Sequence, residues 1–375
     1  MFSAFFVFLR RQVCILCANR VKILVISLAG IGDTLLATPL LHELRLNFPD
    51  TQIDVLVKEA GARDLLETNP HINSVHCENM LKQSKWATLR GLRRFRAQNY
   101  DVSLNTYPQS KIHYRLVTRW IGARERLSHT YENWGALDSM LVTKTVAQDY
   151  ALHSVENNLK LLSLMGVQPK LPKHDSEIFL SASEEKWASE TLRELALDGK
   201  RVLGVHVGSG TTKNLALRRW PLENYIELFR ELTKRQTDAR VVLFGGPEER
   251  QDHERVMKEL SSTSVMVAPS RSLRQAAALA GRCHAFLSVD TALMHVAAAM
   301  KVPRQIVIET PTFNKTIEPH DRPYTLVPNP AVKGRNLEFY RYDGRDIQGT
   351  AEELRQCMRA VKVEDVLKAV VAALS

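Results

Sequence analysis

Short runs of apolar residues alternate with amphipathic stretches along most of this chain. VKILVIS (21–27) reads as a buried strand, followed by Gly30, Gly32 and a helical stretch from Thr34 to Asn47. TQIDVLV (51–57), INSVHC (72–77) and YDVSLNT (100–106) repeat the strand pattern. Between them lie a short helix around 60–67, a basic helix near 85–98 and another near 110–121. RERLSHT and MLVTKTV are less regular strands, and a long helix over 152–165 closes this half. Strands that are apolar throughout, joined by helices, predict a parallel sheet covered on both faces. Pro169 and Pro172 break the rhythm and mark a linker. The rhythm then restarts with RVLGVHV (201–207), RVVLFGG (240–246), VMVAP, AFLSVD (285–290) and RQIVIE (304–309). Helices are predicted after Pro221, from Pro247, and over SLRQAAALAGRC, TALMHVAAAM and VEDVLKAVVAAL. The expectation is an α/β protein of two doubly wound, Rossmann-like domains facing a cleft, over 21–172 and 173–350, with 351–375 as a C-terminal helical element.

Composition narrows the class. At 375 residues, 45% hydrophobic and 25% charged, the chain is ordinary globular protein, neither disordered nor collagen-like. A net charge of +10 suits an acidic partner: nucleic acid, a phosphorylated substrate or an anionic membrane. Five scattered cysteines make no disulfide framework, and Cys14 with Cys17 is a lone CxxC that reads as free thiols in a reducing compartment. Residues 1–20 interrupt apolar MFSAFFVFL and VCILCA with Arg10 and Arg11. Each apolar block is too short to span a bilayer, and the order of charges is not that of a secretory signal. Two readings stand: an amphipathic helix in a membrane interface, or an unstructured start.

Ligands of open parallel sheets bind beyond the carboxyl ends of strands, at glycine-rich turns. Four such turns stand out. In Gly30-Ile31-Gly32-Asp33, Leu35 occupies the place of the third glycine of the dinucleotide fingerprint, and Asp33 in isolation reads as a helix N-cap. Gly208-Ser209-Gly210-Thr211-Thr212-Lys213, leading to Arg218, combines small residues, hydroxyls and cations that can cradle phosphate. Gly245-Gly246-Pro247-Glu248 offers an acid for ribose hydroxyls, or simply a helix start that favours acids. Asp290-Thr291-Ala292, with His295 on the same helix, presents a helix N-terminus as an anion site, although a lone histidine is as well explained by packing.

The joint pattern resembles the family-nine glycosyltransferases of the GT-B fold, the heptosyltransferase family. It is carried by Gly30-Ile31-Gly32-Asp33 with Thr38-Pro39, the stretch HSVENNL from His153, Arg219-Trp220-Pro221, GGPEE from Gly245, DTALMH from Asp290, and Cys357-Met358. The sequence departs from that pattern at Val207, Arg218, Ala292 and Thr310, where the family has Pro, Lys, Gly and Gly. Ala292 and Thr310 add bulk beside the expected donor site.

The resemblance implies an inverting, metal-independent transfer of a heptose or related sugar from an ADP-sugar to a lipopolysaccharide inner-core acceptor. Asp33 would be the general base, on the acceptor-side loop with Gly30 and Gly32. Thr211, Thr212, Lys213, Arg218 and Thr291 would surround the diphosphate, Asp290 and Ala292 would line the same donor site, Glu248 would hold the ribose, and His295 a phosphate or the sugar. No Asp-x-Asp metal pair lies beside the donor loops. The first domain would take an acidic lipid-linked saccharide, and the last helix would pack back on it. The expected setting is the cytoplasmic face of the bacterial inner membrane, as a peripheral monomer that binds no nucleic acid. The net charge and the basic helix bearing Lys82, Lys85, Arg90, Arg93, Arg94 and Arg96 agree with that setting, and equally with a solvated charged face. Rival readings are an epimerase-like nucleotide-sugar enzyme of the same fold, a dinucleotide oxidoreductase, and a non-catalytic nucleotide- or nucleic-acid-binding protein.

Overall fold

A computed structural model of the chain describes residues 21–79, 84–210, 215–311, 315–332 and 350–375. The N-terminal segment with Cys14 and Cys17, Lys82, and the trio Thr211, Thr212 and Lys213 lie outside the described residues.

Two six-stranded parallel sheets form, one in each half. The first contains β1 (Lys22–Ser27), β2 (Gln52–Val57), β3 (Ser74–Cys77), β4 (Val102–Asn105), β5 (Glu125–Thr130) and β6 (Lys144–Ala147), in the order β3-β2-β1-β4-β5-β6. The second contains β7 (Arg201–His206), β8 (Ala239–Phe244), β9 (Val265–Val267), β10 (Ala285–Ser288), β11 (Arg304–Ile308) and β12 (Tyr324–Val327), in the order β12-β11-β10-β7-β8-β9. Each sheet therefore reverses direction once, between β1 and β4 and between β7 and β10, and a crevice opens at each reversal. The apolar runs explain the layering. In β1, Ile23 and Val25 enter one core while Leu24 and Ile26 enter another, because side chains alternate faces with period two.

The first half carries α1 (Ile31–Leu35), α2 (Thr38–Asn47), α3 (Ala60–Leu66), α4 (Lys85–Arg96), α5 (Ile112–Ile121), α6 (Ala136–Leu141) and α7 (Ser154–Leu159). The second carries α8 (Ala182–Glu194), α9 (Leu222–Arg235), α10 (Arg250–Leu260), α11 (Leu273–Ala280), α12 (Ala292–Ala299), α13 (Ala351–Arg359) and α14 (Val363–Leu374). The helix predicted over Thr34 to Asn47 is thus two helices, the second placing Pro39 in its first turn, where the missing N–H leaves no bond unmade. The helix predicted over 152–165 becomes α7 followed by a tighter 3₁₀ segment, Lys160–Met165. Strand β12 was not legible: it is a short edge strand with two exposed residues and no apolar run.

The expected return of the last helix to the first domain is corrected. Val366, Leu367, Val370 and Leu374 form one stripe on α14, and all four join the core built from β7, β10 and β11 with α9. Trp220 Nε1 donates to Val361 O at 3.0 Å and Asn329 Nδ2 donates to Cys357 O at 3.0 Å, anchoring α13 and the turn that leads from it into α14 to the same domain. The return contact is made instead by the connection between β11 and β12. Ser154 donates to Thr316 O through both N and Oγ at 2.8 Å, and His153 Nε2 donates to Glu318 O at 3.0 Å. His153 Nδ1 accepts from Val155 N, so the ring is neutral, and burial drives its pKa down to about 3. The HSVENNL stretch is therefore the first domain's clasp on the second. Asn158 extends it inward, accepting from Tyr107 N at 2.8 Å and donating to Leu36 O at 3.3 Å.

Candidate active site

Asp33 sits beyond the carboxyl end of β1, on a loop that is fixed from several sides. Ser27 Oγ and Thr34 Oγ1 share a hydrogen bond of 3.1 Å, Thr34 Oγ1 donates to Gly30 O, and Leu28 N donates to Gln109 Oε1. Asp33 is not the N-cap that the sequence suggests. It is the third residue of α1, and its Oδ2 reaches back to accept from Gly30 N at 2.8 Å. Burial pushes its carboxyl up, the Gly30 N–H opposes this, Asp290 raises it further, and Lys58 and Arg218 lower it. The net value is about 6, well above the usual carboxylate range. Such a group is ionised at neutral pH yet far more basic than an exposed aspartate, as a general base requires.

Across the domain contact, β10 leads into α12. Thr291 caps that helix, accepting from Met294 N, and its hydroxyl also pairs with His206 Nδ1 at 3.1 Å. Asp290 is buried against Arg218, with Nη1 2.5 Å from Oδ2. Ala292 opens the first turn of α12. His295, buried one turn later, lies flat against the backbone of Gly32: a Cβ at that position would come within 2.6 Å of the His295 Cδ2. Only glycine permits α1 to approach α12 so closely. Burial holds the His295 pKa low, with Asp290 opposing, so the imidazole is neutral. Asp33, Gly30, Gly32, Arg218, Asp290, Thr291, Ala292 and His295 are thus drawn into one region at the domain contact.

The glycine turn after β7 is shaped by the turn after β8. Glu249 lies over Gly208, where a Cβ would come within 2.2 Å of its Oε1, and it accepts from Gly246 N at 2.9 Å. Arg219 ties the two turns together, donating to Ser209 O at 3.0 Å and to Asp252 at 3.1 Å, with Glu249 at 3.3 Å. Arg219 therefore serves the loop's architecture, while Arg218 faces Asp290. Glu248 is exposed, and its neighbour Glu249 is the carboxylate turned inward. Sequence reasoning missed Glu249, His206 and Lys58. Lys58 follows β2 directly, a position at the carboxyl edge of the sheet that could have flagged it. Among the described residues, the trio of metal-ligand type is His42, His71 and Glu177, away from these loops, and its two rings stack 3.8 Å apart, so that no ion lies in the plane of both.

The model of glycosyltransferase family 9 (heptosyltransferase) matches residues 88–337. Lipopolysaccharide heptosyltransferase 2 of Salmonella typhimurium is 26% identical over 363 residues, covering 90% of this chain and 98% of that protein. The crystal structure of a family 9 glycosyltransferase from Veillonella parvula superimposes with a TM-score of 0.75 at 19% identity, covering 94% of this chain and 97% of that one. The structure of an Escherichia coli ADP-heptose lipopolysaccharide heptosyltransferase II gives 0.67 at 22% identity, over 94% and 98%. The chain belongs to glycosyltransferase family 9, the heptosyltransferase family, and is a glycosyltransferase of its two-domain fold.

Proposed function

We propose that this enzyme transfers a heptose from ADP-heptose to the inner core of lipopolysaccharide, inverting the anomeric carbon. One observation carries the reading: a carboxyl with a pKa near 6, Asp33, stands at the domain contact opposite the Arg218–Asp290 pair and the N-terminus of α12. Asp33 takes the proton of the acceptor hydroxyl as its oxygen bonds to the anomeric carbon. The bond to the donor phosphate breaks and ADP leaves. Arg218, Lys213, the hydroxyls of Thr211, Thr212 and Thr291, and the α12 N-terminus balance the charge that grows on the diphosphate. With those cations and dipoles in place, the reaction needs no metal. Glu248 holds the ribose from the rim, and His295, beside Ala292, contacts a phosphate or the sugar.

The acceptor is an acidic lipid-linked saccharide. A cavity of about 560 Å³ on the first domain, lined by Lys111, His113, Ile112 and Leu137 among others, mixes cationic and apolar walls suited to it. Neighbouring helices α4, α5 and α6 expose Trp86, Trp120, Leu137 and Met140, and α4 also carries Arg90, Arg93 and Arg94. Arg94 pairs with Glu78 at 2.5 Å, so part of that charge is already engaged. The +10 chain and these apolar residues favour peripheral work at the inner face of the inner membrane, and the enzyme is proposed to act there as a monomer. No helix among the described residues is long and apolar enough to cross a membrane.

The test is acceptor dependence. Purified enzyme with ADP-heptose should release ADP only when the lipid-linked core acceptor is added, and the product should gain one heptose by mass. Donor consumption at the same rate without acceptor would favour the epimerase-like alternative and end this reading.

A further inference from the structure

The first sheet reverses direction between β1 and β4, and the crevice at that reversal opens beyond the carboxyl ends of the two strands. One side chain crosses from one strand end to the other. Gln109, fully buried in the turn between β4 and α5, reaches back to the end of β1. Its Nε2 donates to Ile26 O at 2.6 Å and to Thr106 O at 2.9 Å, and its Oε1 accepts from Leu28 N at 3.3 Å. Leu28 stands two residues before Gly30, whose N–H holds the Asp33 carboxyl. We propose that Gln109 is a positioning residue for the transfer, setting the Asp33 loop against the wall of the acceptor cavity. This rests on the reading of Asp33 as the base and of that cavity as the acceptor's.

Three observations support it. First, the partners fix which way the amide points. Ile26 O and Thr106 O can only accept, so the NH2 group faces them and the carbonyl faces Leu28 N. The β1–β4 register ends at Ile26 opposite Asn105, and Gln109 carries the tie two residues beyond it. Second, the same residue is held from the cavity side. Its N donates to Tyr131 Oη at 2.9 Å, and its O accepts from Arg115 Nη1 at 3.1 Å. Arg115 is itself buried, donating to Ser110 O at 2.8 Å and to Asp138, whose other oxygen accepts from Gly135 N at 2.8 Å. Arg115, Gly135 and Asp138 all line the cavity of about 560 Å³. Third, the backbone and side-chain polar groups of Gln109 are all engaged, so it has none to offer a ligand and acts through the loop.

A core amide that merely filled space would tie its own segment to the nearest carbonyl. Gln109 instead joins the residues that follow β1, β4 and β5, three strands lying side by side, and makes their ends one edge. Thr118 is the contrast. Its hydroxyl is as fully buried and donates to Asn105 Oδ1 at 2.7 Å and Tyr114 O at 3.1 Å, but those bonds join α5 to β4 and do not reach the Asp33 loop. The acceptor hydroxyl must come within hydrogen-bond reach of Asp33 to be deprotonated. A misplacement of about 1 Å between reacting groups can cost about 10²-fold in rate. Loss of the Gln109 tie frees the base to shift while the donor loops of the second domain stay where they are.

Full-length Gln109→Met, Gln109→Glu and Thr118→Val, compared with wild type on ADP-heptose and the lipid-linked core acceptor, test this. Gln109→Met should lower kcat about tenfold or more, keep the calorimetric Kd for ADP within about twofold, and speed amide exchange over residues 26–34 but not in the second domain. Thr118→Val should lose stability without that loss of kcat. Gln109→Glu carries the test should the Met variant fold poorly. Two carbonyls face the new carboxyl, so it stays protonated to higher pH than an exposed glutamate and copies the amide in that state. Its kcat should stand within about threefold of wild type at pH 6.5 and drop about fivefold further behind by pH 9, as ionisation breaks the tie. The proposal is overturned if well-folded Gln109→Met turns over within about twofold of wild type, or if its kcat and ADP affinity fall together. It is equally overturned if the ratio of Gln109→Glu to wild type is the same at both pH values. A wild type that releases no ADP with the acceptor would sink the functional reading instead, and amide exchange over residues 26–34 would still decide whether Gln109 holds the loop.

Discussion

Asp33 answers to two opposed demands, since the desolvation that makes it basic also makes its charge costly to bury. Its folded pKa of about 6 lies above the unfolded value of 3.8, so its contribution to stability is present below 3.8 and lost as pH rises through 6. Asp33→Asn keeps the bond from Gly30 N and removes the charge. At pH 7.5 the variant should be more stable, by roughly 1–2 kcal/mol after allowing for partial exposure, and slower by about 10²-fold or more. Denaturant melts and initial rates on the same preparation check both halves. A residue that merely shaped the turn would leave the rate near normal as Asn. The pH profile gives a second measurement: kcat/KM of the wild type should fall about tenfold per unit below pH 6. An acid limb near 4 would mean that Asp33 is not desolvated in the working enzyme. At this scale the glycine turn alone read Asp33 as a helix cap, and only the resemblance to the glycosyltransferase family pointed to it as the base and to Arg218 at the diphosphate. The sequence could not separate Glu248 from Glu249, since two adjacent acids at a helix start look alike until one is seen folded over Gly208.

Elements were legible wherever burial was complete. β1, β2, β7 and β8 are apolar runs because each is covered on both faces, and the turns after β1, β7 and β8 were legible as glycine clusters. Where the pattern failed, packing had chosen between equally periodic options. The stripe on α14 said that the helix is buried on one side, not which sheet buries it. The close approach of α1 to α12 was equally hidden, because Gly32 is an ordinary turn glycine until His295 is found against it. That contact gives a prediction for the pair. Gly32→Ala should raise KM for the donor and lower kcat, each about three- to tenfold, because the methyl forces the imidazole or α1 to shift by more than a rotamer change allows. In a His295→Ala background the clash is gone, so the same substitution should cost much less. A double-mutant cycle reads this coupling directly, and equal penalties in both backgrounds would place the two elements farther apart than described.

The two domains are held in contact by surfaces that neither half advertises alone. Leu35 and Leu65 of the first domain share a core with Phe244, Ala276 and Leu293 of the second. Arg274, on α11, is almost fully buried in this seam. Its guanidinium donates to Asp64 O at 3.0 Å and Thr68 Oγ1 at 2.9 Å in the first domain, to Phe179 O at 2.9 Å in the linker, and to both oxygens of Glu184 on α8. Burial of the Arg274–Glu184 pair is tolerated because each guanidinium nitrogen has a partner, and Glu184 is held down to about 2, first by that bond. From the sequence, Arg274 is one more charge beside an alanine-rich helix, since its partners lie 90 to 210 residues away. Replacing it with Met keeps the bulk but removes the side-chain donor from Asp64 O and the donor from Glu184 Oε1, and leaves Phe179 O and Glu184 Oε2 with only Thr68 and Ser181 as donors. Removing one partner of a buried ion pair costs about 3–5 kcal/mol when the site stays dry. Here the molecule has a cheaper response, which is to part the domains and hydrate those groups. Arg274→Met should therefore show a larger radius of gyration in solution scattering, faster amide exchange along α3 and α11, and a raised donor KM, while each sheet's own core stays protected. Arg282→Ala is the matched control: its pair with Glu185 is half-exposed, so its loss should change none of these by more than an exposed pair is worth, about 0–1 kcal/mol. Uniform loss of protection in both domains of Arg274→Met would mean that the arginine supports folding as a whole rather than the seam between the domains.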